Sequence, residues 1–223
     1  GIMASSFKHI AVTNIISDEI SLDGRNRLRL GSILPDACIS SPVGHIKIKI
    51  SEGTTYDLSA FRQRFGGKLL CDTLYMGYYI HLVQDLVYRD FIYNRYKWSP
   101  MENGRLSQKK VDGLHNDYRL LNKYVKEKYN LKNDIKIPHD IAEEELCRAF
   151  PMNVTDFMRE FELYFNEDAA GETFFFTSAM ADEYISYAAE ICLAEYKSLT
   201  RGGEGIDEKK WAWNNTQTAV LSR

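Results

Sequence analysis

Gly77-Tyr78-Tyr79-Ile80-His81-Leu82-Val83-Gln84-Asp85, set in the apolar run from residue 68 to residue 96, decides how this chain is read. Leu70, Leu74, Gly77, Tyr78, His81 and Asp85 recur at three- and four-residue spacing, and the pattern continues through Tyr88 and Ile92. That period places them along one side of an α-helix, the side a globular fold buries. The spacing therefore predicts one long core helix over 68–96. His81 and Asp85 stand one turn apart on its inward face, so both side chains can reach a single point. A buried carboxylate without a partner is very costly, and a bound cation is one remedy. A second reading of the pair stays open: a core histidine bonded to its own i+4 aspartate, with no metal. Gly77, one turn earlier, leaves room on the same face for a ligand or another backbone.

Helices are also expected on either side of this run. Phe7, Ile10, Ala11 and Ile15 predict a helix over 6–20, and 24–31 a short second one. It stops at Leu34-Pro35-Asp36, where the proline pushes Leu34 out of the helical region. Residues 45–50 then alternate like a strand, and Glu52-Gly53-Thr54 turns it, which predicts a small hairpin within 45–58. Ser59 can cap a short helix through Phe65, ended by Gly66-Gly67. After the long helix an irregular loop is expected from Trp98 to Gly113, then a helix over 116–129 capped by Asn116. Further helices are expected at 139–149, at 156–166 after Thr155, and at 174–199. The expected fold is all-α: one helical domain over residues 1–200 with a β-hairpin or extended insertion near 45–58. The tail 201–223, Gly-rich and polar apart from Trp211 and Trp213, is expected to dock weakly or stay mobile.

Composition narrows the function. With 223 residues, 44% of them hydrophobic, the chain can bury a core without staples. Its net charge of −3 offers no general attraction for a long nucleic acid. Cys38, Cys71, Cys147 and Cys192 are widely spaced and lie beside apolar residues, so free thiols in a reducing compartment are expected. No apolar h-region opens the chain and no apolar run approaches ~18 residues, so neither a secretory leader nor a transmembrane segment is expected. A cytoplasmic location follows as an expectation. There is no Gly-rich phosphate loop, no G-x-S-x-G and no H-E-x-x-H. Oligomeric state is not legible.

Other candidate ligands join His81 and Asp85. His9, His45 and His115 lie at element boundaries or on inward faces, and Asp36 follows Pro35 in an apolar turn nine residues before His45. Imidazole and carboxylate donors together suit zinc, iron or manganese, and two of each complete a four-coordinate site. The order Leu34-Pro35-Asp36, His45, then Gly77 to Asp85 resembles the zinc-dependent phospholipase C and single-strand zinc nuclease superfamily, in its small intracellular bacterial branch. The likeness covers roughly residues 7–130. It implies a phospholipase C-like helical scaffold in which Asp36, His45, His81 and Asp85 hold a central zinc. It also implies that His9 serves a further ion, that His115 is a ligand of another site, and that Asp36 orients or deprotonates the attacking water. That further site has only a degenerate counterpart in His139 and Glu143, so one or two ions are expected. The implied activity is hydrolysis of a small phosphate ester, with metal-activated water attacking phosphorus. The alternative is a non-catalytic binding or regulatory protein that keeps a structural or remnant metal site. An adjacent His139-Asp140 also matches part of the HD phosphohydrolase pattern.

Overall fold

The computed structural model describes residues 3–19 and 24–214. It is all-α apart from two small hairpins. Helices α1 (Met3–Glu19) and α2 (Arg25–Gly31) are followed by two single-turn helices, α3 (Leu34–Ala37) and α4 (Ser41–Gly44). Strands β1 (Lys47–Ile50) and β2 (Gly53–Tyr56) pair antiparallel, with Lys47 opposite Tyr56 and Ile50 opposite Gly53. Then come α5 (Leu58–Leu69) and α6 (Thr73–Arg89), which continues as a π-helical segment over Asp90–Arg95. A second hairpin, β3 (Met101–Glu102) and β4 (Arg105–Leu106), precedes α7 (Gln108–Lys128). The chain closes with α8 (Glu145–Ala149), α9 (Val154–Asn166) and α10 (Ser178–Thr200).

Helix α6 is the axis of the molecule. It packs against α2, α5 and α10, and every residue from Thr73 to Gln84 is buried. A helix surrounded on all sides needs apolar residues around its whole circumference, which is why the run reads as near-continuous rather than one-sided. The long helix expected over 68–96 is divided. Leu70 is half exposed between α5 and α6, and the Asp72 carboxylate caps α6 by accepting from Leu74 N at 3.0 Å.

Helices α2 and α6 cross in close backbone contact. A Cβ on Gly77 would land on the Leu28 carbonyl oxygen and lie 3.0 Å from Gly31 Cα. Gly77 thus makes room for another backbone, not for a ligand. Gly77→Ala is expected to cost about 1–3 kcal/mol despite alanine's better helix propensity, because two backbones must separate. Urea denaturation measures this. An unchanged midpoint would show that the crossing is loose.

Several boundaries differ from expectation for local reasons. Pro35 sits in the first turn of α3, where its missing N–H is not needed, so Leu34 stays helical. Gly66 and Gly67 lie inside α5, held by its buried stripe Leu58, Phe61, Phe65 and Leu69, and Asp57 rather than Ser59 is the cap. The expected loop 98–113 is filled by β3, β4 and the start of α7. Ser107, not Asn116, caps α7 by accepting from Lys110 N. Residues 139–149 hold only a 3-10 turn, Ile141–Glu143, and α8. Asn153 caps α9, and α10 starts at Ser178 instead of 174. The tail is docked as far as Asn214. Trp213 is buried, exchanges two backbone hydrogen bonds with Thr54, and packs on Tyr56 with ring centroids 5.0 Å apart. Residues 215–223 of that tail lie outside the described residues. All four cysteines are free thiols, Cys71 being exposed. No helix among the described residues is long and apolar enough to cross a membrane.

Candidate metal centre

Four elements bring His9, Asp36, His45, His81 and Asp85 to one end of the α2–α6 crossing. His9 comes from α1, Asp36 from α3, His45 from the turn after α4, and His81 and Asp85 from α6. Each imidazole is oriented through its Nδ1. His45 Nδ1 donates to the Ser41 carbonyl at 2.8 Å, and His81 Nδ1 to the Ser32 carbonyl at 2.7 Å. His9 Nδ1 donates to Gln84 Oε1 at 2.8 Å. Carbonyl oxygens only accept, so in the neutral rings Nδ1 carries the hydrogen and Nε2 presents a lone pair. Tyr78 pins the turn that carries His45 by donating to the Gly44 carbonyl at 2.6 Å.

The lone pairs converge. His45 Nε2 and His81 Nε2 are 3.1 Å apart. Asp85 Oδ2 lies 3.1 Å from His45 Nε2 and 3.2 Å from His81 Nε2. Asp36 Oδ1 lies 3.5 and 3.7 Å from the same two nitrogens. Donors bound at 2.0–2.1 Å to one tetrahedral ion would sit roughly 3.3 Å from one another. The separations of 3.1 to 3.7 Å bracket those edges, and two unprotonated nitrogens 3.1 Å apart repel unless a proton or a metal lies between them. His45, His81 and Asp85 form one group able to hold an ion, and His9, Asp36 and His81 a second that shares its histidine. The set fits a divalent cation.

Asp85 faces both ways. Its Oδ2 belongs to the central set, and its Oδ1 lies 3.2 Å from His9 Nε2. His9 stacks on His81 with ring centroids 3.8 Å apart. Burial pushes Asp85 up, but the neighbouring His81 and His9 and hydrogen bonds from His45 and His81 hold it well below the usual carboxylate range. Burial pushes His45 down, and hydrogen bonds to Asp36 and Asp85 outweigh it, lifting His45 to about 10. Burial lowers His9, helped by His81.

The cluster opens onto a cavity of about 540 Å³, whose walls include His9, Asp36, His45 and Asp85. His115 lies on that wall too, but it is an exposed residue of α7 and belongs to neither ligand group among the described residues. Its place is explained by the early start of α7, which puts it mid-helix rather than at a loop end. His139, Asp140 and Glu143 are exposed and far in the chain from any such cluster, and no metal group includes them among the described residues.

Sequence reasoning missed the cationic members of the cavity wall, Lys8, Lys47 and Arg89. Arg89 was within reach, since it follows His81 and Asp85 at the same four-residue step on α6. Lys8, next to His9 on α1, is 3% exposed, and burial lowers it to about 7 against the pull of Asp85. Comparison with protein-family models, with curated proteins and with solved structures gave no match.

Proposed function

We propose that this chain is a metal-dependent hydrolase of a small phosphate ester, with zinc held by Asp36, His45, His81 and Asp85. The observation that carries this reading is the pair of facing Nε2 atoms of His45 and His81, 3.1 Å apart, each ring locked by an Nδ1 hydrogen bond to a carbonyl. Three of the four ligands, Asp36, His45 and Asp85, line a cavity while His81 is buried behind them, which favours an open coordination position and hence catalysis over a closed structural site. Iron or manganese would suit the same donors. A bound divalent ion supplies Lewis acidity and acidifies a coordinated water.

The chain's own groups have distinct tasks. His45 and His81 are held as neutral donors by Ser41 and Ser32. Gln84 orients His9, and His9 with Asp85 Oδ1 offers two donors for a second ion. Asp36 lines the cavity, and among the described residues its Oδ2 accepts a long 3.4 Å hydrogen bond from Ser6 Oγ. In this reading that oxygen would take the proton of the attacking water.

Loading the site is expected to be pH-dependent. Without an ion, His45 is raised to about 10, so near neutrality a proton occupies the position between the imidazoles. A metal must displace it. Apparent affinity should therefore rise about tenfold per pH unit from neutrality towards pH 10. Zinc titration calorimetry in buffers of different ionisation enthalpy should show close to one proton released per central ion near pH 7. Binding with no proton release would contradict the assignment. A phosphomonoester and phosphodiester panel run on the zinc-loaded protein tests the activity itself, and turnover should disappear in His45→Ala.

A further inference from the structure

Three cations line the cavity, and none has an ion-pair partner among the described residues. Lys8 is almost fully buried, and among the described residues its ammonium faces aromatic rings rather than a carboxylate. It lies 3.9 Å from the centroid of the Tyr118 ring and 5.3 Å from that of Phe176. Lys47 on β1 is half-buried, with its ammonium 5.9 Å from the Trp213 ring. Arg89 donates to the Tyr93 hydroxyl at 2.9 Å and the Tyr56 hydroxyl at 3.3 Å, and lies 4.8 Å from Trp213. No carboxylate comes within 4.0 Å of any of the three among the described residues, although the protein as a whole carries a net charge of −3.

Aromatic faces offset part of the cost of desolvating such cations. They do not replace an anion: a buried ammonium without an acceptor is less stable than a hydrocarbon in its place. Two carboxylates, Asp36 and Asp85, share the cavity, but both are directed at the imidazoles. With a divalent ion on the imidazoles and carboxylates, the cavity keeps a clear positive surplus. Its volume of about 540 Å³ exceeds what one phosphate fills, leaving room for a second group.

We propose that Lys8, Lys47 and Arg89 form a subsite for a second anionic group on the substrate. The substrate is then a small phosphate ester that also carries a carboxylate or another phosphate, and not one with a cationic or neutral headgroup. This rests on the phosphoester reading above for the reacting phosphate. Lys8 and Lys47 act as point charges, and Arg89 is fixed by two tyrosine hydroxyls.

The test compares four probes on the zinc-loaded protein by calorimetry: 3-phosphoglycerate, propane-1,3-diol bisphosphate, glycerol 3-phosphate and phosphocholine. The first two are expected to bind at least ~10-fold more tightly than glycerol 3-phosphate, with phosphocholine weakest, as one good charge-assisted contact is worth about a factor of ten. The tighter of the first two identifies the second group as carboxylate or phosphate. Lys47→Gln and Lys8→Met should each shrink that preference several-fold, with zinc content unchanged. Lys8→Met should also raise Tm by a few degrees, roughly 2–4 °C, since it removes a desolvated charge. Equal binding of all four probes, or a preference intact in both variants, overturns the subsite. Wild-type protein that takes up no zinc overturns the phosphoester reading alone. On that zinc-free protein the doubly anionic probes still rank first if the subsite stands, and all four rank together if it does not.

Discussion

Asp117→Ala is expected to destabilise the protein by ~3–5 kcal/mol, the range for removing one partner of a buried charged network. Asp117 is fully buried on α7. Its carboxylate accepts the backbone N–H groups of Phe174, Phe175 and Phe176 at 2.5, 2.6 and 2.7 Å. These three donors lie just before α10, and alanine would leave them without their acceptor, the Phe176 N–H at a buried position. Asp117→Asn should lose less, because one carbonyl oxygen still accepts. The effect reaches the cavity: Phe176 is fully buried, its ring is 5.4 Å from that of Tyr118, and the Lys8 ammonium lies against both rings. Chemical denaturation gives the free energy directly. A loss below about 1 kcal/mol would mean the segment finds other acceptors.

The second large effect is that of His81→Ala. It removes the nitrogen shared by both ligand groups, so affinity for the central ion should fall by more than the ~10–100-fold typical of losing an outer-shell partner. It also leaves the Ser32 carbonyl without its donor, removes the ring stacked on His9, and opens a cavity at a fully buried position. With Asp85 deprived of its i+4 partner, about 3–5 kcal/mol of stability should be lost. His9→Ala is the contrasting variant. It leaves all four central ligands in place, so the central ion should be retained and the protein should lose less stability. Equal zinc content in His81→Ala and wild type would sink the ligand assignment.

The parts of the fold legible in the sequence were those written in local periodicity. The central helix, the 47–56 hairpin and the helical character of 6–19, 156–166 and 178–199 all come from spacing that one element imposes on its own residues. What was illegible depends on partners distant in the chain. Nothing near Phe174 announces that Asp117, 57 residues earlier, will hold its backbone. Nothing in Gly66-Gly67 shows that α5 will continue through them because Phe65 and Leu69 are both buried. Ile15 fits the inward stripe of α1 by count, yet Ile16 is the buried neighbour and Ile15 is partly exposed. The tail looked weakly held because its glycines and charges outnumber its two tryptophans, but Trp213 adds its backbone to Thr54 and buries its ring.

At the candidate site the split is similar. His81 and Asp85 were legible from one helix turn, and Asp36 and His45 from their order along the chain. His9 joins them because Asp85 has a second oxygen to offer. His115 was expected as a ligand on the assumption that a loop delivered it. The helix that begins at Gln108 delivers it to the cavity wall instead. The cations escaped notice because lysine and arginine usually face water, and only the three-dimensional enclosure shows that these do not.

The central claim is that the facing imidazoles of His45 and His81 hold a metal ion, and X-ray absorption at the zinc edge on protein loaded with one equivalent tests it most directly. The account predicts a four-coordinate or five-coordinate first shell of nitrogen and oxygen at roughly 2.0–2.1 Å with imidazole scattering from two histidines, lost in a His45→Ala, His81→Ala double variant. A spectrum with no imidazole contribution, or one unchanged in the double variant, would contradict it.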